Sequence, residues 1–410
     1  MKILQINNYH YLKGGSERVY FETSRLLEDR GHKVIHFSVN DNKAIESPYE
    51  KYFIEPVHYF AYGHLLNKIK SVISFLYSRE AKRKLELLLQ REKPDVAHLH
   101  IFYGRLTSAI LPVLKEYNVP IVMTVHEYRM LCPVYLLVDN KGDICECCAS
   151  GGYTNCVLKR CNKGRLSYSI VSALECYIRD LFFSYVKYVD RFIMVSAFIR
   201  DKHIEYISQL QNKTCHIYNF ISLESISRAH NHRPYYLYAG RLSREKGMLT
   251  LLNAWRDFPS LKLKIAGDGP LDDVISRFLQ ENNMHNVEQL GHLSGQALFN
   301  VMKHSKFLIV PSEWYENNPM SILEAFAIGL PVIGSNMGGI PELIKEGING
   351  FLFEATNEEA MTSVIKLAEG LTNDAYWKMS EMARTYAEEN FSRDTHYEKL
   401  MGVYREVALK

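Results

Sequence analysis

Residues 311–342, PSEWYENNPMSILEAFAIGLPVIGSNMGGIPE, read as a strand end, a loop, a helix, a second short strand and a Gly-Gly turn. The apolar run before them closes at Val310, which leaves Glu316 on the loop beyond a strand. Pro319, Met320 and Ser321 open the helix, and the first N–H groups of a helix have no partner inside it. Those groups, at the positive end of the helix dipole, favour diphosphate or sugar oxygens, and Asn318 beside them joins the same expected contact set. Glu324 falls one turn into the helix, seven residues separating it from Glu316, so both carboxylates can turn toward one ligand. Carboxylates accept hydrogen bonds from sugar hydroxyls. Glu316 alone would suit a solvated face equally well, but Glu324 is bracketed by Leu323, Ala325, Phe326 and Ala327, which read as buried. The stretch reads as a sugar-nucleotide pocket.

Outward from this stretch, short apolar runs alternate with helical ones along the chain. KILQI, KVIHFSV, DVAHLH, PIVMTVH, RFIMVS and CHIYNF form one series of strands, and YYLYAGR, LKLKIAG, NVEQLG, KFLIVPS, PVIGS and FLFEA a second. Such alternation predicts parallel sheets buried on both faces. A chain of 410 residues, 47% hydrophobic and 23% charged, exceeds one ordinary core. Two domains are expected, residues 1–224 and 234–385, with the linker at 222–234 and a final helical segment, 386–410, after them. No apolar run reaches the roughly 18–20 residues of a spanning helix, and MKILQI opens as a strand, so a soluble cytoplasmic protein is expected.

Several further residues stand where open α/β sheets bind ligands, at strand carboxyl ends. Arg241 follows a strand and Lys246 lies just before Gly247 and a helix; two cations at such a turn can clamp a diphosphate. Gly14 and Gly15 let backbone approach a phosphate or sugar, Gly267 and Gly269 shape the turn AGDGP, and Gly338 and Gly339 precede a Pro-initiated helix. His126 ends the strand IVMTVH; on general grounds a lone histidine is more often structural than catalytic. No Asp-x-Asp pair stands where a divalent ion would hold a diphosphate, so no catalytic metal is expected and neutralisation falls to Arg241, Lys246 and helix ends.

The same stretches resemble family 4 glycosyltransferases, the retaining group with the GT-B architecture of two Rossmann-like domains whose parallel sheets face across a cleft. The resemblance runs in order through GGSER, HEY, YAGRLSREKG, AGDGP, the opening stretch and GGIPELI, and it implies that the final helical segment, 386–410, crosses back to the first domain. It implies that Glu316 contacts the donor hexose, Glu324 the ribose, Arg241 and Lys246 the phosphates and His126 the transferred sugar. The implied donor is a UDP- or GDP-sugar, and the implied acceptor a glycan or lipid-linked saccharide of the cell envelope. The implied reaction is front-face transfer with retention, a covalent intermediate on Glu316 being the alternative. Competing readings are a sugar-nucleotide epimerase or phosphorylase of the same fold, or an inactive GT-B scaffold.

Five of the eight cysteines fall between Cys145 and Cys161, in CECCASGGYTNCVLKRC. Their spacing predicts a structural zinc on Cys145, Cys148, Cys156 and Cys161, with Cys147 outside the ligand set, in an insertion over about 130–165. The alternative is a loop of reduced thiols. Some bacterial members of the family carry a similar four-cysteine insertion. Residues 1–224 hold 30 Lys and Arg against 23 Asp and Glu, the remainder 19 against 23. That surplus, with KIKSVISFLYSREAKRK at 68–84, suggests an amphipathic helix in peripheral contact with a membrane, although packing on the sheet explains such a helix equally well. Lys159, Arg160, Lys163 and Arg165 also permit a nucleic-acid reading, but one knuckle supports it thinly and no nucleic acid is expected.

Overall fold

The computed structural model describes residues 1–56, 65–223 and 234–409. The chain divides into two compact units, Met1–Ile217 together with Tyr397–Lys410, and Tyr218–His396. In the first, β1 (Lys2–Tyr9), β2 (Lys33–Val39), β3 (Val96–Leu99), β4 (Ile121–Val125), β5 (Arg191–Met194) and β6 (Thr214–His216) form one parallel sheet in the order β2-β1-β3-β4-β5-β6. In the second, β7 (Tyr235–Ala239), β8 (Lys262–Ala266), β9 (Val287–Gly291), β10 (Ser305–Val310), β11 (Val332–Ser335) and β12 (Gly350–Phe353) are ordered β12-β11-β10-β7-β8-β9. Each of the twelve apolar runs contributes a strand, because helices cover both faces and alternation is not needed. CHIYNF contributes least, since the chain leaves the sheet after Ile217.

Strand order fixes where ligands can go. β1 pairs with both β2 and β3, Ile3 standing opposite Val34 and Val96, so the chain runs to one side of β1 and then returns to the other. β7 likewise pairs with β8 on one side and β10 on the other. The connections leaving the two central strands diverge, and the crevice so opened is the usual ligand site of an open parallel sheet.

The units join at Ile217–Tyr218, ahead of the 222–234 read from composition; residues 224–233 lie outside the described residues. The stretch 68–84 is not one helix. Ser78 is in extended conformation and its hydroxyl accepts the Ala81 N–H, separating α2 (Leu65–Leu76) from α3 (Arg79–Glu92). α3 turns Ala81, Leu85, Leu88 and Leu89 into the core, as an ordinary packed helix does. Residues 386–390 belong to a helix of the second unit, Asn373–Asn390, whose Ala383 and Ala387 lie in that unit's core. A separate last helix, Arg393–Ala408, lays Leu400, Met401, Tyr404 and Val407 against Ile3, Val34, Val96 and Ile193 of the first sheet.

Leu400 is fully buried there, so Leu400→Ala should destabilise the first unit by about 2–4 kcal/mol through lost transfer energy and the cavity left behind. Chemical denaturation followed by a probe in each unit checks this: the loss is expected in the first unit's transition.

Candidate functional site

In the second unit the loops after β7 and β10 meet. Lys246 Nζ lies 2.5 Å from Glu316 Oε1, and the Ser312 hydroxyl donates to the same oxygen at 2.7 Å. Two glycines make the approach possible. Gly247 has φ +69°, and a Cβ there would stand 1.8 Å from the Pro311 carbonyl oxygen. Gly338 has φ +62°, and its Cβ would stand 2.4 Å from the Glu316 carbonyl oxygen, to which the Gly339 N–H donates at 2.6 Å. The Glu313 N–H on the Glu245 carbonyl, 2.9 Å, closes the contact between the loops.

Glu316 is only 6% exposed. Burial alone would raise its pKa, but the Lys246 charge and the hydrogen bonds from Lys246 and Ser312 outweigh burial and hold it below the ordinary carboxylate value. The pair therefore stays ionised, and the ammonium has two further protons for a phosphate oxygen. Lys246 also lies 5.0 Å from the centre of the Trp314 ring. Asn318 is buried; its Oδ1 accepts the Asn219 N–H at 2.9 Å, whereas its Nδ2 has no hydrogen-bond partner among the described residues. An unpaired buried amide donor beside Glu316 is costly and suits a ligand oxygen.

In the second unit Pro319 caps the helix Met320–Ala327, where Met320 and Ser321 are half-buried and Glu324 is 5% exposed among Ile322, Leu323, Ala325 and Phe326. Arg241 stands exposed just beyond β7. Gly267 ends β8, its N–H on the Gly291 carbonyl at 2.8 Å.

In the first unit His126 follows β4 and is half-buried. It is not a lone histidine. Its Nε2 is 3.0 Å from His100 Nδ1, and the two rings stack with centroids 5.3 Å apart. His100 Nε2 lies 3.0 Å from Gln5 Oε1, while Gln5 Nε2 reaches His98 Nδ1 at 3.5 Å and His98 Nε2 reaches the Thr124 hydroxyl at 2.7 Å. An amide oxygen only accepts, so His100 Nε2 carries a proton; in a neutral His100 ring Nδ1 then accepts, which makes His126 Nε2 a donor. Nδ1 is then the unprotonated nitrogen of a neutral His126 ring. Burial lowers its pKa to about 4, which keeps the ring uncharged at neutral pH.

Next to it, burial raises the Glu127 pKa to about 7, against the opposing charge of Arg129 and a hydrogen bond with Tyr103. Glu17 and Lys13 act on the same carboxyl, which brings the Gly14–Gly15 turn to the end of β4. Gly14 is extended, at φ −168°, and a Cβ there would meet only Glu17 Oε2 at 3.6 Å. Lys13 and Arg105 both lie over the Tyr9 ring, at 3.8 and 5.0 Å. The sequence reading missed His98, His100 and Gln5, though the spacing HLH inside a strand was a visible sign. It also missed Lys13, Arg105 and Trp314, for which no comparable signal exists.

The cysteine-rich segment differs from expectation. Among the described residues no three His, Cys, Asp or Glu side chains are grouped so as to hold a metal ion, so the residues as placed do not form the four-thiolate group on Cys145, Cys148, Cys156 and Cys161. Cys145 accepts from Lys159 Nζ at 3.3 Å, Cys156 and Cys161 hydrogen-bond to each other, and Cys148 lies near both of them and buried Cys132. The segment is fastened by polar contacts instead. Buried Arg129 pairs with Glu175, and buried Arg179 donates to the Arg129 carbonyl at 2.8 Å and to the Tyr153 hydroxyl at 2.7 Å.

Two units of parallel sheet with sites at their switch points are the GT-B type of glycosyltransferase, the class that acts on nucleotide-sugar donors. The comparisons agree. Residues 13–225 match the family model described as Glycosyltransferase Family 4, and residues 222–389 the one described as Glycosyl transferases group 1. The chain is 28% identical over 408 residues to the uncharacterized glycosyltransferase MJ1178 of Methanocaldococcus jannaschii, covering 98% of this chain and 97% of that protein. An uncharacterized 42.6 kDa protein in the cps region of Klebsiella pneumoniae is 25% identical over 364 residues, 84% of this chain and 88% of that one. The crystal structure of Anabaena HepE in complex with UDP has the same fold, with a TM-score of 0.70 at 16% identity over 99% of this chain and 100% of that one. The chain belongs to glycosyltransferase family 4.

Glu127 gives a pH signature. Unfolded, it titrates near 4.5; folded, near 7. The folded state holds the proton more tightly, so the favourable contribution is whole below about 4.5 and is lost as pH rises through 7. Glu127→Gln should therefore match the wild type at pH 4 and exceed it by about 3 kcal/mol at pH 8, read from denaturant midpoints at the two pH values.

Proposed function

We propose that this chain is a retaining glycosyltransferase that moves a hexose-type sugar from a UDP- or GDP-sugar to a glycan or lipid-linked acceptor in cell-envelope polysaccharide synthesis. The observation that carries the reading is the ionised Lys246–Glu316 pair at the β7/β10 switch point, 2.5 Å apart and largely buried. A cation and a carboxylate side by side suit a ligand that is a phosphate at one end and a polyol at the other. Lys246, with Arg241 beyond β7, takes the diphosphate; Glu316 and the unpaired Asn318 Nδ2 take hydroxyls of the hexose; Glu324, on the following helix, takes the ribose. Gly14 supports a ligand-facing turn, since nothing in the protein's own packing excludes a side chain there. The cps-region relative and the UDP complex of a protein of this fold support the envelope role and the donor class.

In the proposed reaction the acceptor oxygen attacks the anomeric carbon on the face the nucleotide leaves. The bond from that carbon to the β-phosphate oxygen breaks, and the departing phosphate oxygen takes the acceptor's proton. Lys246 and Arg241 stabilise the charge growing on the diphosphate. His126, neutral at the carboxyl end of β4, positions a sugar hydroxyl.

Arg241→Ala and Lys246→Ala should each lose at least about 2 kcal/mol of transition-state stabilisation, read from kcat/KM with folding intact. Glu316→Gln should lose most of its turnover. A thermal-shift screen of nucleotide sugars finds the donor; transfer assays with and without acceptor follow, and the product's anomeric configuration tests retention. Wild-type rates in both cation variants would sink the phosphate clamp, and turnover of donor to an isomer without acceptor would sink the transferase reading.

A further inference from the structure

The helix Leu166–Phe182 of the first unit is amphipathic in the wrong sense for water. Its buried residues are Ser169, Ser172, Ala173, Glu175, Cys176 and Arg179, four of them polar or charged and engaged with the cysteine-rich segment or its neighbours. Its exposed apolar residues are Leu166, Ile170, Leu174, Tyr177, Leu181 and Phe182, between 42% and 75% accessible, beside exposed Ser167 and Asp180. Spaced by three and four, they line one face for the whole length of the helix. The acidic residue among them, Asp180, accepts hydrogen bonds from Arg179 at 2.7 Å and from the Tyr153 hydroxyl at 2.6 Å. α2 adjoins the same helix, with the Tyr77 ring beyond its end tilted against Phe183 at 5.7 Å between centroids, and it adds exposed Ile69 and Ile73. A contiguous apolar face of this length is uncommon on a protein surrounded only by water.

The charges around it say what covers it. Arg160, Lys163 and Arg165 are exposed just before the helix, Lys187 just after it, and Lys70, Arg79 and Arg83 along α2 and α3. The rim is cationic and the centre apolar, the pattern of a surface that sinks side chains into acyl chains while lysine and arginine reach headgroup phosphates. A second copy of this chain would set two cationic rims against each other. We propose that the outer face of the helix Leu166–Phe182, extended by α2, seats this chain on a bilayer bearing anionic headgroups. The proposal goes beyond the transferase reading and does not depend on it, because lipid binding is measured without any reaction. It also moves the membrane contact from 68–84 alone to a helix whose sequence drew no such expectation.

Flotation of the full chain with vesicles of phosphatidylcholine alone, and of equal parts phosphatidylcholine and phosphatidylglycerol, tests it. The wild type should float with the anionic vesicles at low salt, less at high salt, and little with the neutral ones. The double variants L174Q/L181Q and K163E/R165E, all at exposed positions, should each lower the bound fraction at least about tenfold with unchanged thermal melts. The charge-reversed pair keeps the test decisive should the leucine pair fold poorly. Equal retention on neutral vesicles, retention by well-folded variants, or no flotation at all would overturn the proposal. So would a concentration-dependent dimer that ignores vesicles and is dissolved by L174Q/L181Q, which would give the face to a second copy.

Discussion

The second unit is organised around one buried ion pair. Lys246 and Glu316 come from loops far apart in sequence, and the buried Glu316 carboxylate is held below its ordinary pKa, against burial, chiefly by the charge of Lys246. The cost of desolvating them is met by proximity, by Ser312, and by an arrangement that permits no wider gap: two glycines admit carbonyl oxygens where a Cβ would collide. The pair is also a poor use of stability if stability were its only purpose, because apolar residues of similar volume hold loops together at less expense. Its placement where β7 and β10 diverge gives it a ligand to meet.

The first unit solves a different problem. Its sheet interior carries Gln5, His98, His100 and Thr124 in place of aliphatic residues, and each is satisfied by a neighbour. The last helix contributes to the same interior, where the Tyr404 hydroxyl meets His98 Nδ1 at 2.6 Å. Positions from the start, middle and end of the chain thus share one hydrogen-bonded row beneath His126.

Much of this was legible in the sequence, for reasons particular to it. The twelve strands were visible because parallel strands covered on both faces are short apolar runs, and PSEWYENNPMSILEAFAIG displays its strand, loop and helix in order. Glu316 and Lys246 could each be named, but their contact could not, since it depends on strand order and on two close backbone approaches. The stretch 68–84 misled because periodicity continues across Ser78 while the chain does not. The cysteines were legible only as a cluster: spacing brought Cys148, Cys156 and Cys161 together, but it gave no sign of buried Cys132 beside them or of Lys159 on Cys145. Leu166–Phe182 passed unnoticed because an inverted helix has the same periodicity as a normal one, and only the burial of Glu175 and Arg179 shows which side faces in.

The row from His98 through Gln5 and His100 to His126 has a consequence for descent. Each group in it is a donor on one side and an acceptor on the other, so the proton pattern of the whole row is set once any member is fixed. A replacement at Gln5 that reverses the sense of one bond forces a rearrangement at every position after it. Among relatives, residues 5, 98, 100 and 126 should therefore be inherited as a block, changing together or hardly at all, even though more than a hundred residues separate the first from the last.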